Sequence, residues 1–362
     1  METYIPDARS SAIFRRFVNA EAAADGARVE FWRRLPDLPS RPKDGHKGTF
    51  GTALIVGGSR GMSGAVALSG MTALVAGAGL TRLVVPDAIQ DAVAQFQPEY
   101  TTIGAPSDAS GRFSESALDV ILEESRRATV VAVGPGLGRS DSLDRLVERL
   151  YLDIPCRAIF DADALNALAS TKFFGVLPNC GQFPKAARVL TPHPGEFERI
   201  FGVKPQPIRY ARELLTVVAA EEIGKRRQPL LYEDDQIERT VLLLKGRETI
   251  LARSALRVPP KDGSEKRGVL WLESESDVNE TGNSNLATGG SGDALTGVIA
   301  GLIAQGLDAW DGARLGVALH GLAAELRALL VPRGAVASDV ARFLPCAMAV
   351  YDEIRKRTAR ME

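Results

Sequence analysis

From Thr52 onward, short apolar runs alternate with polar, glycine-rich loops and helix-length segments. Ala53-Leu54-Ile55-Val56 is apolar at every position. It is followed by Gly57-Gly58-Ser59-Arg60-Gly61-Met62-Ser63-Gly64 and by a small-residue helical stretch from Ala65 to Ala78. Leu83-Val84-Val85 closes at Pro86. Uninterrupted apolar runs bounded by glycine and proline predict strands buried on both faces, as in a parallel sheet with helices on each side. The pattern recurs. Thr129 to Val133 leads into Gly134-Pro135-Gly136-Leu137-Gly138 and a helix over Asp141 to Leu150. Ala158-Ile159-Phe160 leads into Asp161-Ala162-Asp163-Ala164-Leu165-Asn166, and Arg188-Val189-Leu190 into Thr191-Pro192-His193-Pro194-Gly195-Glu196, each with a helix after it. Thr240 to Leu244 ends in Lys245-Gly246. Glu248 to Ala252 reads as a hairpin return, which predicts an antiparallel far edge, and Val269 to Leu272 as one more strand. The polar loops thus leave strand ends on one side of one sheet, where open α/β sheets bind ligands.

The remaining pattern is helical or polar. Ile208 to Lys225 has helical spacing, with an exposed loop expected over Arg226 to Asp235 and a polar turn over Pro259 to Arg267. Ala294 to Gln305 and Trp310 to Leu330 are apolar on nearly every side, so both helices should be buried. A last helix runs near Ala337 to Arg357 and ends basic. Residues 1–45 mix arginines with acids and crowd Pro36, Pro39 and Pro42 at their end. They read as an N-terminal arm, a short helix and then an extended lead-in, ahead of one domain over 46–362. The arm packs either on that domain or on a neighbouring subunit, and self-association stays open.

The stretch from Asn279 to Gly297 carries the most chemistry. It begins polar, passes through Gly289-Gly290-Ser291-Gly292 and turns apolar and helical at Asp293. A helix starting at about Gly292 aims its unpaired N–H groups and positive dipole end at the loop, a ready site for phosphate. Asp293 in its first turn is then either a base beside an anion site or an ordinary acidic helix start. Lys245 at a strand end either reaches phosphate or solvates the strand end. His193, stiffened between two prolines, is poorly placed for a core. Of Asp161 and Asp163, one is expected to cap the following helix and the other to take Mg²⁺ or a ligand hydroxyl. His46 and His320 read as structural. Ser291 lies in Gly-Gly-Ser-Gly-Asp rather than in a nucleophile elbow.

Composition narrows the field further. The 362 residues are 45% hydrophobic and 25% charged with a net charge of −1, which gives no bulk attraction to nucleic acid or to an anionic membrane. Three scattered cysteines and three histidines argue against a dedicated zinc site and for a reducing compartment, the cytoplasm. No apolar run reaches the ~18 residues expected of a membrane span.

Together the motifs are far more specific than any of them alone. Gly289-Gly290-Ser291-Gly292-Asp293 resembles the signature of the ribokinase-like fold. With His46-Lys47-Gly48-Thr49-Phe50-Gly51, Gly57-Gly58-Ser59, Gly134 to Gly138, Asp161 to Leu165, Leu190 to Glu196 and Leu243-Leu244-Lys245-Gly246, the chain resembles the ADP/ATP-dependent NAD(P)H-hydrate dehydratases over roughly residues 44 to 345. The resemblance implies an α/β fold with a mostly parallel sheet. It also implies repair of hydrated NADH and NADPH with ADP or ATP as co-substrate and Mg²⁺ as cofactor. By motif position, Asp293 is implied as the base and a hydrate contact. Ala65, Gly136, Gly138 and His193 are implied on the hydrate side. Lys245, Gly246, Arg247, Glu248, Thr249, Asn283, Gly290 and Gly292 are implied on the nucleotide side. Glu280, Ser284-Asn285 and Arg247-Glu248 depart from the family pattern, all on the nucleotide side. A small-molecule alcohol kinase of the same superfold and a non-catalytic nucleotide-binding regulator are the competing readings.

Overall fold

A nine-stranded sheet organises the computed structural model, which describes residues 12–24, 26–176, 184, 186–207, 209–225, 240–257 and 271–359. The strands are β1 (Thr52–Val56), β2 (Leu80–Pro86), β3 (Thr101–Ala105), β4 (Val130–Val133), β5 (Arg157–Phe160), β6 (Arg188–Leu190), β7 (Val241–Leu244), β8 (Ile250–Arg257) and β9 (Trp271–Val278). Their order across the sheet is β3-β2-β1-β4-β5-β6-β7-β8-β9. The first seven pair in parallel, and β8 and β9 return antiparallel at one edge. The sheet thus has the expected parallel body and antiparallel edge.

Successive side chains of a strand point to opposite faces, so an all-apolar strand needs cover on both. Leu54, Val56, Val131 and Val133 enter one core cluster, while Ala53, Ile55, Val130 and Ala132 enter the other. The helices that supply the cover are α1 (Ala12–Ala22), α2 (Gly26–Arg34), α3 (Ser63–Val75), α4 (Gln90–Ala94), α5 (Ala117–Ser125), α6 (Asp141–Asp153), α7 (Asp163–Ser170), α8 (Phe173–Val176), α9 (Pro194–Phe201), α10 (Arg209–Lys225), α11 (Ser291–Ala304), α12 (Ala309–Leu330) and α13 (Ser338–Thr358). Helices α5 to α10 pack on the first face, and α3, α4, α11 and α12 on the second. A third cluster lies outside α11 and α12, where α1, α2 and α13 bury Phe14, Trp32 and Tyr351. This second layer explains why α11 and α12 are apolar nearly all round.

Two details position the site. The chain runs outward from β1 to β3 and then returns to β4 on the other side of β1, so the loops after β1 and β4 flank a topological switch point. They are laced together there. Gly58 N donates to Pro135 O at 2.8 Å, and Ser59 Oγ to Gly136 O at 2.8 Å. Helix α11 is also pressed hard onto α3. A Cβ at Gly297 would fall 2.1 Å from Ser69 O, and one at Gly301 would fall 2.5 Å from Ala73 O.

Several expectations change. The arm holds two helices rather than one, and both pack on α13. The apolar pattern does not mark β3, α4 or α5 between Pro86 and Thr129. The loop over 226–235, the turn over 259–267 and residues 269–270 lie outside the described residues. Among the described residues no helix is long and apolar enough to cross a membrane.

Candidate active site

Helix α11 begins at Ser291, after Gly290 in the left-handed conformation (φ +85°) and without a side-chain cap. An L side chain is strained at that φ, which explains the glycine. The uncapped start leaves first-turn amides facing the loop. Asp293 sits in this first turn, and its carbonyl accepts Ser69 Oγ of α3 at 2.8 Å. Burial, and then the charge of Asp161, push its carboxyl up to about 6 against the opposing pull of Lys245. A carboxylate tuned towards neutrality is suited to accept a proton.

Asp161 is the hub beneath it. Its carboxylate is fully buried and takes three short bonds at 2.7 Å, with Lys245 Nζ and Thr191 Oγ1 on Oδ1 and Thr296 Oγ1 on Oδ2. Burial alone would raise this carboxyl, but the lysine and the two hydroxyls override it and hold it below its ordinary value. Burial likewise works against the Lys245 ammonium, and the Asp161 and Glu196 carboxylates outweigh it. The pair is therefore ionised. It joins the ends of β5, β6 and β7 to the second turn of α11. A Cβ at Gly292 would lie 3.2 Å from Lys245 Nζ, so the ammonium sits directly under the first turn.

The neighbouring aspartate does something else. Asp163 Oδ2 accepts Gly138 N at 2.9 Å, fixing the second glycine loop. Neither Asp161 nor Asp163 caps α7. The cap position is Ala162, at φ +49°, and it makes no side-chain bond. The expectation that one of the two aspartates caps this helix is corrected accordingly. The sharp turn at Ala162 sends Asp161 towards Lys245 and Asp163 towards Gly138.

Ala65 and Gly136 face one another across the switch point: a Cβ at Gly136 would lie 2.9 Å from that of Ala65. His193 caps α9, with Nδ1 accepting from Gly195 N at 3.0 Å and Glu196 N at 3.3 Å, while Glu196 Oε2 accepts His193 N at 2.8 Å. Its ring is half exposed. Burial, and then Lys245, lower its pKa, so it is neutral at pH 7. Glu196 is pushed up to about 7 by burial. Thr249 is buried, Arg247 is exposed, and Glu248 reaches Arg209 at 3.9 Å. Asn283 is partly buried, and both ends of its amide are bonded within the protein. Its Oδ1 accepts Asn285 N at 2.9 Å and its Nδ2 donates to Ala324 O at 3.1 Å. His320 is structural, as expected: it is buried, its ring contacts Ser291 O at 3.1 Å, and burial lowers its pKa to about 4. Sequence reasoning left Thr191, Thr296 and Glu196 out of the site. Only the strand-end position of Thr191 and the helical spacing from Asp293 to Thr296 signal them.

The donor set does not resemble a protein cage for a metal. Among the described residues no group of three His, Cys, Asp or Glu side chains is gathered to hold one. Asp161 already has three donors, and Asp163 holds an amide. Such a site suits a hard cation that arrives on phosphate oxygens and keeps most of its own water.

A family model described as NAD(P)H-hydrate dehydratase matches residues 53–343. The chain belongs to the NAD(P)H-hydrate dehydratase family. Among curated dehydratase relatives, the bifunctional NAD(P)H-hydrate repair enzyme Nnr of Moorella thermoacetica is 37% identical over 317 residues, 87% of this chain and 52% of that protein. The ADP-dependent (S)-NAD(P)H-hydrate dehydratase of Bacillus subtilis is 34% identical over 301 residues, covering 82% of this chain and 90% of the relative. The chain spans about half the length of the bifunctional relatives it matches. The crystal structure of the B. subtilis ADP/ATP-dependent dehydratase, co-crystallised with ATP/Mg²⁺, aligns with TM-score 0.63 and 28% identity over 89% of this chain and 97% of that one. A ribokinase-like superfamily protein from Enterococcus faecalis, at TM-score 0.65 and 21% identity over 89% and 94% of the two chains, supports the fold. The dehydratase fold here is ribokinase-like.

Proposed function

We propose that this chain dehydrates the S-form of NADH hydrate and NADPH hydrate back to NAD(P)H, driven by ADP or ATP. The observation that carries the reading is Asp293, half-sheltered in the uncapped first turn of α11 with its carboxyl tuned to about 6 beside the Lys245–Asp161 pair. Hydroxide is a poor leaving group and phosphate a good one. Asp293 takes the proton from the ring hydroxyl, and the freed oxygen attacks the terminal phosphoryl, displacing the shortened nucleotide. Developing charge on the phosphoryl oxygens meets the first-turn amides of α11 and the Lys245 ammonium beneath them. The carbon–oxygen bond then breaks with phosphate leaving. Loss of a proton from the neighbouring ring carbon restores the double bond.

Ala65, Gly136, Gly138 and His193 form the hydrate side in this reading. Lys245 to Thr249, Asn283, Gly290 and Gly292 form the nucleotide side. Lys245 acts from below, through its ion pair, rather than as a free arm. Mg²⁺ enters with the nucleotide and neutralises its phosphates. The cytoplasm, where reduced nicotinamides and nucleotides meet, is the compartment this implies.

The test supplies hydrated NADH with ADP and with ATP in parallel, in Mg²⁺. It follows the near-ultraviolet absorbance of the reduced ring together with released phosphate. Recovery of absorbance with stoichiometric phosphate is expected. Nucleotide consumption with a stable phosphorylated product and no recovery would point to the alcohol kinase instead.

A further inference from the structure

Helices α1 and α2 precede the family-matched region, yet they reach the segment that leads into the catalytic loop. Arg28 of α2 donates through Nη1 to Glu280 O at 2.7 Å. Its Nε binds Glu21 Oε2 of α1 at 2.6 Å, and the same oxygen accepts Trp32 Nε1 at 2.7 Å. The guanidinium lies over the Phe31 and Trp32 rings, 5.4 and 5.0 Å from their centroids. The arginine is thus aimed by the helix pair itself. From the other side, Glu325 of α12 accepts Gly282 N at 2.7 Å and stands 3.8 Å from Arg28 Nη2. Arg34, also on α2, holds Asp277 at 2.7 Å and Val278 O at 2.9 Å, just upstream.

Glu280 to Asn283 belong to no strand or helix, so their backbone groups need partners from elsewhere. Arg28 and Glu325 supply two of them. The segment lies against the loop after β7, because Asn279 N donates to Thr249 O at 2.8 Å and Arg209 stands 3.8 Å from Glu280 and 3.9 Å from Glu248. We infer that the N-terminal helix pair is a working part of the nucleotide side, with Arg28 as the positioning residue that fixes Glu280 to Asn283 beside Lys245 to Thr249. This inference rests on the proposed nucleotide site.

The test uses the full chain and measures ADP and ATP binding directly by titration calorimetry, apart from any turnover. Arg28→Met keeps an unbranched side chain and removes the guanidinium, with its donors and its place over the aromatic rings. Nucleotide affinity should weaken about tenfold, the scale of a lost hydrogen bond to a charged group. The KM for hydrate and the exchange protection of the β1 amides should be unchanged, while the Gly282 amide exchanges faster. Arg28→Lys should recover part of the affinity. Glu325→Gln, which leaves every residue of α2 in place and removes the charge facing both the Gly282 amide and Arg28, should weaken nucleotide binding in the same direction. Nucleotide affinity within twofold of the unaltered protein in Arg28→Met overturns the inference, and so does weakening matched by the hydrate KM and by β1 exchange. If the unaltered protein binds nucleotide but restores no hydrate, the proposed function fails and this inference still stands or falls on the variants.

Discussion

Asp293→Asn separates the catalytic demand on this residue from its structural cost. In the folded protein the Asp293 carboxyl is raised from 3.8 to about 6, first by burial and then by the nearby Asp161 charge. At 1.36 kcal/mol per unit, two units amount to about 3 kcal/mol. A raised carboxyl binds its proton more tightly in the folded chain than in the unfolded one. The ionised form therefore weighs against folding above about pH 6, and the penalty fades as pH falls towards about 4, where both states are protonated. Asparagine is close in shape and carries no charge. The variant should thus be more stable than the unaltered protein by about 1–3 kcal/mol at about pH 8, with the gain shrinking towards zero near pH 4. It should have no measurable dehydratase turnover while keeping most of its nucleotide affinity. Urea unfolding at the two pH values gives the stability, and the hydrate assay gives the activity. In the unaltered protein, turnover should decline as pH drops through about 6 and the base is protonated. A variant that is equally or less stable at pH 8 would show that burial does not strain this carboxylate. A variant that still turns over hydrate would show that the base lies elsewhere.

Two other substitutions test the frame around it. Asp161→Ala leaves the Lys245 ammonium without its carboxylate and should cost about 3–5 kcal/mol in urea unfolding, as for one partner removed from a buried pair. Gly297→Ala places a methyl group 2.1 Å from Ser69 O and Thr72 Oγ1. It should destabilise the fold by about 1–3 kcal/mol and lower turnover as well, because α11 can relieve the clash only by moving away from α3.

Much of this structure is legible in the sequence, for identifiable reasons. The strands β1, β4, β5, β6 and β7 are apolar on both faces, so they stand out as uninterrupted runs. Their following loops then carry Gly134 to Gly138, Asp161, Thr191 to Glu196 and Lys245 to the ligand side of the sheet. β3 escapes because it is an edge strand. Thr101 is exposed and Thr102 to Gly104 are only partly buried, so no apolar run marks it. The second arm helix escapes because its buried residues, Val29, Phe31 and Trp32, are interleaved with charged ones. The place of Asp293 in the first turn of a helix is readable from its glycine-rich approach. The role of Lys245 is not, because its direction depends on which acid the fold brings to it. That acid is Asp161, 84 residues away in the chain, and Ala162 turns it the right way through a backbone angle that no side-chain pattern announces.

The tight seat of α11 on α3 has a mechanical consequence. Gly297 and Gly301 leave no gap between the two helices, and Ser69 Oγ ties Asp293 O across them. One helix starts after the first glycine loop and the other just before Asp293, so the two hold these loop ends in fixed register. Glu280 to Asn283 are seated as closely on α12, where a Cβ at Gly321 would fall 2.6 Å from Thr281 C and 2.8 Å from Gly282 N, and Lys245 is tied to α11 through Asp161 and Thr296. Asp293, Lys245 and Glu280 to Asn283 are therefore all held to one block of helices, α3, α11 and α12. The shape this block presents is set when the chain folds, before any ligand arrives.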